Sequence, residues 1–165
     1  MSVTGIPILD NLYPATMDMW PIEAKEFNRS WPFYENLKQG RFTTTKCKDC
    51  GNVSYPPRVI CPACYSENLE FTDLPKTGKV VVFSEEVKGV PLGFESPLIH
   101  AVVDLGVDPV RRLLTRIVNC QAGQLKRGDE VQLAVFDIPA MPIEKGRAGT
   151  IMAERVFFAF EPVKK

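Results

Sequence analysis

Apolar positions change rhythm along this chain. Beyond about residue 77 they gather into five successive runs of strand composition, two of which alternate with polar positions at the period of a half-buried strand. Residues 78–89 (GKVVVFSEEVKG) are β-rich and bounded by glycines, and in 97–105 (PLIHAVVDL) Ile99, Ala101, Val103 and Leu105 share one face. After the turn 106–109 (GVDP), the run 111–119 (RRLLTRIVN) places Leu114 and Val118 about Arg116. Residues 130–137 set Val131, Leu133 and Val135 against Glu130 and Gln132, and 150–160 (TIMAERVFFAF) is the last run of strand composition. Strands without long helices between them, joined by turns rich in Gly, Pro and Asp, predict a small antiparallel barrel. A five-stranded barrel of the OB type is the first choice, with a six-stranded or half-open barrel as its rival. The connection 121–131 has room for a single helical turn.

Upstream the pattern is irregular. Met1 to about Met19 shows no sustained period, yet Ile6, Ile8, Leu9, Leu12 and Tyr13 make it too apolar for a solvated tail. It is expected to lie along a surface, its own or a partner's. Pro21 and Pro32 each suit the first turn of a helix; Glu23 and Glu26 favour the positive end of the first, and Gly40 can close the second. Phe27, Trp31 and Tyr34 fall at i, i+4 and i+7, with Pro32 bending the path between them. These aromatics either pack on the rest of the chain or form a hairpin offered to a partner subunit, where aromatic residues are enriched. The predicted fold class is mainly β with a short N-terminal helical hairpin: 1–42 arm and hairpin, 43–74 cysteine module, 75–165 barrel.

The module between is set by four cysteines, Cys47-x2-Cys50 and Cys61-x2-Cys64, ten residues apart. Each C-x2-C forms a tight turn whose backbone N–H groups can point at the sulfurs. Two such turns facing each other present four thiolates at tetrahedral corners, the shell of a structural zinc. A closed four-sulfur shell leaves no position for water or substrate, so one structural Zn2+ per chain is expected. Iron in a rubredoxin-like site is the alternative occupant, and two disulfides in a secreted protein the non-metal one.

Composition narrows the class. The 165 residues are 45% hydrophobic and 24% charged, enough apolar material to bury a core without relying wholly on the metal. Twenty basic and 20 acidic residues cancel. That balance speaks against nucleic acid as the main partner, because phosphate neutralisation supplies most of such affinity. No apolar run approaches the ~18 residues of a membrane span. The start MSVTGIPILDNLYP has neither a basic opening nor a long apolar segment. Five cysteines, four in close pairs, fit metal binding in a reducing cytoplasm.

Little in the chain suggests catalysis. His100, the one histidine, lies in a strand run, and Cys120, the leftover cysteine, ends another. They form either a nucleophile and base or a barrel-face residue and a small buried hydrophobe. Between the knuckles, Pro56 and Pro57 stiffen the loop that carries Tyr55 and Arg58. Arg58 is therefore either a solvated loop residue or a held guanidinium for a carboxylate or phosphate. Lys46 and Lys48 can offset the charge of a tetrathiolate.

In order, a helical hairpin, C-x2-C-G, Y-P-P-R, C-P-x-C, a G-K-V strand and a small barrel with L-K-x-G-D-x-V resemble the zinc-ribbon/OB-fold proteins of bacterial and archaeal acyl-CoA metabolism. The resemblance spans about Trp20 to Phe160 and rests on Cys47, Cys50, Gly51, Pro56, Pro57, Arg58, Cys61, Pro62, Cys64, Gly78 and Gly128. It implies a non-catalytic subunit that binds a thiolase-fold catalytic subunit and helps form or close its acyl-CoA site. Partners of the family include thiolases, hydroxymethylglutaryl-CoA synthase and lipid-transfer-protein-like aldolases, in aromatic hydrocarbon or lipid degradation among other settings. In length and N-terminal arm the chain is similar to the small subunits of benzoylsuccinyl-CoA thiolases. Under that reading Tyr55, Pro57, Arg58, Phe27, Trp31 and Tyr34 are candidates to meet ligand or partner. The alternatives are a single-stranded nucleic-acid module, since OB barrels often bind through a basic, aromatic face, and a self-sufficient Cys/His enzyme.

Overall fold

The computed structural model describes residues 29–91, 94–144 and 149–163. The elements run α1 (Trp31–Lys38), β1 (Thr43–Cys47), β2 (Val53–Ser54), β3 (Leu69–Asp73), β4 (Thr77–Glu86), β5 (Leu98–Asp104), β6 (Arg112–Ile117), β7 (Glu130–Glu144) and β8 (Thr150–Pro162). The helix expected at Pro21, the arm before it and Phe27 lie outside the described residues.

The last five strands close into a barrel of order β4-β5-β6-β8-β7, the OB arrangement, with β7 returning to β4 at residues 77–79. Alternation set the inward face of β5 as expected: Ile99, Ala101, Val103 and Leu105 are buried. In β6 the inward residues are Leu113, Thr115 and Ile117, the face opposite to Leu114, which is exposed. Pairing is antiparallel except at one seam, where β6 meets β8 in parallel through Ile117 and Phe160. That seam is what a Greek-key return demands, and no local pattern announces it. The 121–131 connection makes a hydrogen-bonded turn, Gln124 N–H to Gln121 C=O at 3.1 Å, and delivers buried Leu125 to the core.

β7 continues to Glu144, past Asp137 where strand alternation gives way to Pro139 and Pro142. Prolines cost a strand its N–H donors only where a neighbour needs them. Beyond its first residues β7 pairs with β8 alone, and a register shift between Ile138 and Met141 absorbs the first proline.

β4 passes close to β5 at Gly78. A Cβ there would meet Val103 Cγ1 at 2.5 Å and the Asp104 carbonyl oxygen at 2.7 Å, so this close approach needs glycine. Replacing Gly78 with alanine is expected to destabilise the chain by about 1–3 kcal/mol, the range for overpacking. A denaturant titration checks this; an unchanged midpoint would show that the strands can part freely.

Before the barrel, β1 sits between β2 and β3 in a small antiparallel sheet. Thr43, Thr44 and Thr45 of β1 are all buried, which their composition does not suggest. Each hydroxyl has a partner: Asn36 Nδ2 donates to Thr43 at 3.2 Å, Thr44 donates to the Ser54 carbonyl, and Thr45 accepts the Arg58 N–H at 2.8 Å. Buried polar groups tolerate such sites only when paired in this way. Helix α1, opened by Pro32 and closed by the Gly40 N–H on Leu37 O at 2.8 Å, turns Phe33 and Leu37 inward. Arg41 then clamps Asp73 at the end of β3 through two bonds of 3.0 and 2.9 Å. Phe33, Leu37 and Phe42 join the barrel's buried residues in one apolar cluster.

Candidate metal centre

The two knuckles are built alike. In the first, Cys47 N–H bonds Asn52 O at 2.8 Å and Gly51 N–H returns to Cys47 O at 2.9 Å. In the second, Cys61 N–H bonds Ser66 O at 2.8 Å and Tyr65 N–H returns to Cys61 O at 2.9 Å. The repeated bonds bring Cys47, Cys50, Cys61 and Cys64 together, their sulfurs all within 4.8 Å of one another. Cys47 and Cys64 stand 3.6 Å apart, as do Cys50 and Cys61. A disulfide needs about 2.05 Å, whereas a tetrahedral shell with bonds of about 2.3 Å has sulfur–sulfur edges of about 3.8 Å. The donor set and spacing fit a metal ion.

Acidity says the same. Four thiols this close cannot all ionise on their own. Burial pushes Cys61 up, but the N–H groups of Cys64 and Ala63, with the thiols of Cys50 and Cys64, bring it down to about 7. The Ser66 N–H favours the thiolate of Cys64, yet the thiol of Cys50, burial, and the thiols of Cys47 and Cys61 drive it up to about 12. A divalent cation held by Cys47, Cys50, Cys61 and Cys64 would supply the charge that keeps all four as thiolates. Asp49 braces the knuckles against each other, accepting from the Ser66 hydroxyl and from Asn68 Nδ2 at 2.8 Å, and these bonds hold its carboxyl below the usual range. Lys48 is drawn to Glu70 at 3.8 Å.

The other predicted site residues scatter. Tyr55 is half-buried with its ring 5.8 Å from Phe42, and burial pushes its phenol up to about 12; it serves the core. Pro57 is half-buried and Arg58 exposed, its backbone held by Thr45. Trp31 donates to Glu35 at 2.7 Å, and Tyr34 is exposed beside Phe33. The inward residues of that helix are instead Phe33 and Leu37, an i, i+4 pair visible in the sequence. His100 lies exposed on the outer face of β5, opposite Ser84 and Arg116. Burial, then the carboxylates of Glu85 and Asp129, push the Cys120 thiol up, the reverse of what a nucleophile needs. Cys120, Asn119 and Arg116 line an open groove of about 930 Å³ with Val135 and Phe136 of β7.

Sequence reasoning also passed over Tyr65. It holds the place of Gly51 in the second knuckle, with φ +60 against +74, and its side chain is 81% exposed. Laying Cys-x2-Cys-Gly over Cys-x2-Cys-Tyr would have found it.

Comparison with known proteins agrees with this geometry. Residues 35–70 match the family model described as ChsH2, rubredoxin-like zinc ribbon domain. The chain is 32% identical to a DUF35 domain-containing scaffold protein of Methanothermobacter thermautotrophicus, over 66% of this chain and 79% of that one. A scaffold protein of the same description from Pyrococcus furiosus is 31% identical, over 68% and 80%. The benzoylsuccinyl-CoA thiolase subunit BbsA of Thauera aromatica is 30% identical, over 54% of this chain and 60% of its own. Among solved structures, the Ltp2-ChsH2(DUF35) aldolase superposes with a TM-score of 0.57 at 24% identity, covering 82% of this chain and 95% of that one, a likeness of fold.

Proposed function

This chain belongs to the DUF35 zinc-ribbon family, and on that premise we propose that it is the non-catalytic subunit of a thiolase-fold complex. It binds the catalytic chain and helps form or close the acyl-CoA site, in thiolysis or in C–C bond cleavage or formation. One zinc per chain fixes the ribbon. The ribbon (43–74) and the segment before it hold the partner, and the barrel (75–165) stands near the acyl-CoA entrance. The observation that carries the reading is the chain's likeness to scaffold proteins and to a thiolase subunit. Local chemistry supports it. A four-sulfur shell is closed to substrate, and the Cys120 thiol is poorly ionised. Among the described residues no helix is long and apolar enough to cross a membrane.

Expressed alone, the protein is expected to show no thiolysis or condensation of acyl-CoA. Co-expressed with a thiolase-fold chain from its own operon, if one is present, it should co-purify and raise that chain's turnover. Full activity from this chain alone, or a partner equally active without it, overturns the reading.

A further inference from the structure

The second knuckle is built differently from the first on its outside. Both end in a residue with positive φ whose N–H closes on the leading cysteine at 2.9 Å, Gly51 in one and Tyr65 in the other. Glycine takes that conformation freely, whereas a bulky L side chain meets steric opposition. The first knuckle shows that the turn closes without any side chain there. Tyr65 gains nothing visible in return: it is 81% exposed, and no ring contact of its own occurs among the described residues. Val59 and Ile60, on the loop that leads into the same knuckle, are likewise exposed at 38% and 45%.

Arg58 precedes them, exposed and without an ion pair among the described residues. The carboxylates of the ribbon are engaged elsewhere: Asp49 with Ser66 and Asn68, Glu67 with Arg29 at 2.9 Å, Glu70 with Lys48. Below the patch the backbone is rigid, pinned by Thr45 on the Arg58 N–H and by Cys61 at the cluster. Exposed tyrosine and isoleucine beside a free guanidinium on a rigid base is the composition of an interface centre, in which aromatic residues and arginine dominate the energy.

We infer that this face of the second knuckle, formed by Arg58, Val59, Ile60 and Tyr65, is where the chain docks on its catalytic partner, against an apolar surface that presents a carboxylate to Arg58. Backbone strain kept at an exposed aromatic is the mark of a side chain retained for contact outside the chain. The inference rests on the scaffold reading above and adds the surface and its complementary chemistry.

The test uses the full chain co-expressed with its thiolase-fold partner, with binding measured on the purified pair. Tyr65→Gly, which makes the second knuckle like the first, should keep zinc content and melting temperature while weakening binding on the order of tenfold or more. Arg58→Glu should weaken it similarly and remove the salt dependence of the wild-type pair. Undiminished binding by both variants with zinc intact overturns the surface but leaves the scaffold reading standing. A wild-type chain that captures no thiolase-fold protein overturns that reading and this one with it. A lower melting temperature or zinc loss in Tyr65→Gly would show that the ring is covered by its own chain. Self-association abolished by Tyr65→Gly would assign the face to a second copy. Either result overturns the assignment to a catalytic partner.

Discussion

Replacing Cys61 with serine should release the metal and unfold the ribbon from residue 48 to 68. The reason lies in what that stretch buries. Between β1 and β3 the one buried side chain is Cys61 itself, at 1% exposure; every other residue there is exposed or half-buried. β2 contributes two residues, paired to β1 at Thr45–Ser54 and Lys46–Val53. A segment with so little apolar burial cannot meet the conformational entropy of its own ordering, about 1–2 kcal/mol per residue. Metal ligation supplies the difference: structural zinc in isolated fingers contributes on the order of 10 kcal/mol. Elemental analysis should find about one zinc per wild-type chain and close to none in Cys61→Ser. Limited proteolysis should then cut within 48–68 in the variant and spare the native chain. Strong chelation of the wild type should give the same cleavage. A variant that stays zinc-free and protease-resistant would mean that Asp49 and the knuckle hydrogen bonds suffice, which their exposure makes a poor expectation.

The ribbon was legible because each of its parts is local. A C-x2-C turn closes on itself within five residues, so the pattern of four cysteines already contains the geometry that brings the sulfurs within 4.8 Å. The inward face of β5 was legible for the same reason, since alternation is a property of neighbouring residues. What escaped depends on pairings remote in sequence. The parallel seam at Ile117 and Phe160 joins residues from two runs that each look like ordinary antiparallel strands. Pro139 and Pro142 end a strand by local rules, yet β7 runs through them because only β8 needs its hydrogen bonds there.

Polarity gives no sign of β1, where three threonines are buried with Asn36, Ser54 and Arg58 as their hydrogen-bond partners. At α1 the i, i+4, i+7 series of aromatics leaves out the residues that meet the core, since the helix buries Phe33 and Leu37. As for the metal site, the four cysteines stood out at once, while Arg58 was left between a solvated loop residue and a held guanidinium. Tyr65 did not stand out, because its significance lies in a backbone angle shared with a glycine fourteen residues earlier.

Phe42→Ala is expected to be the most damaging substitution away from the metal. Phe42 is fully buried where the helix, the ribbon and the barrel converge. Its ring centre lies 5.8 Å from Tyr55 of the inter-knuckle loop, 5.1 Å from Phe158 and 6.0 Å from Phe160, both on β8. Phe33 of α1 meets Phe158 at 6.1 Å, so one aromatic group couples all three parts. The Phe42 carbonyl also accepts the Leu74 N–H at 2.7 Å, fixing the chain where it leaves β3 for the barrel. Removing the ring deletes its transfer free energy and leaves a cavity that three separate parts of the chain cannot close together, a loss of about 3–5 kcal/mol. In a chain of this length that lowers the melting temperature by on the order of 10 °C. Phe42→Leu, which keeps most of the volume, should cost far less. Zinc content should stay at the wild-type level in both, because Phe42 touches no ligand and the knuckle bonds remain. The coupling itself is also open to measurement. If Phe42 is what joins ribbon to barrel, Phe42→Ala should broaden the single calorimetric transition or split it in two. A sharp wild-type-like transition shifted by less than about 2 °C would mean that the two parts are held together elsewhere, by ties such as the Leu74 N–H to Phe42 carbonyl bond, which the substitution leaves in place.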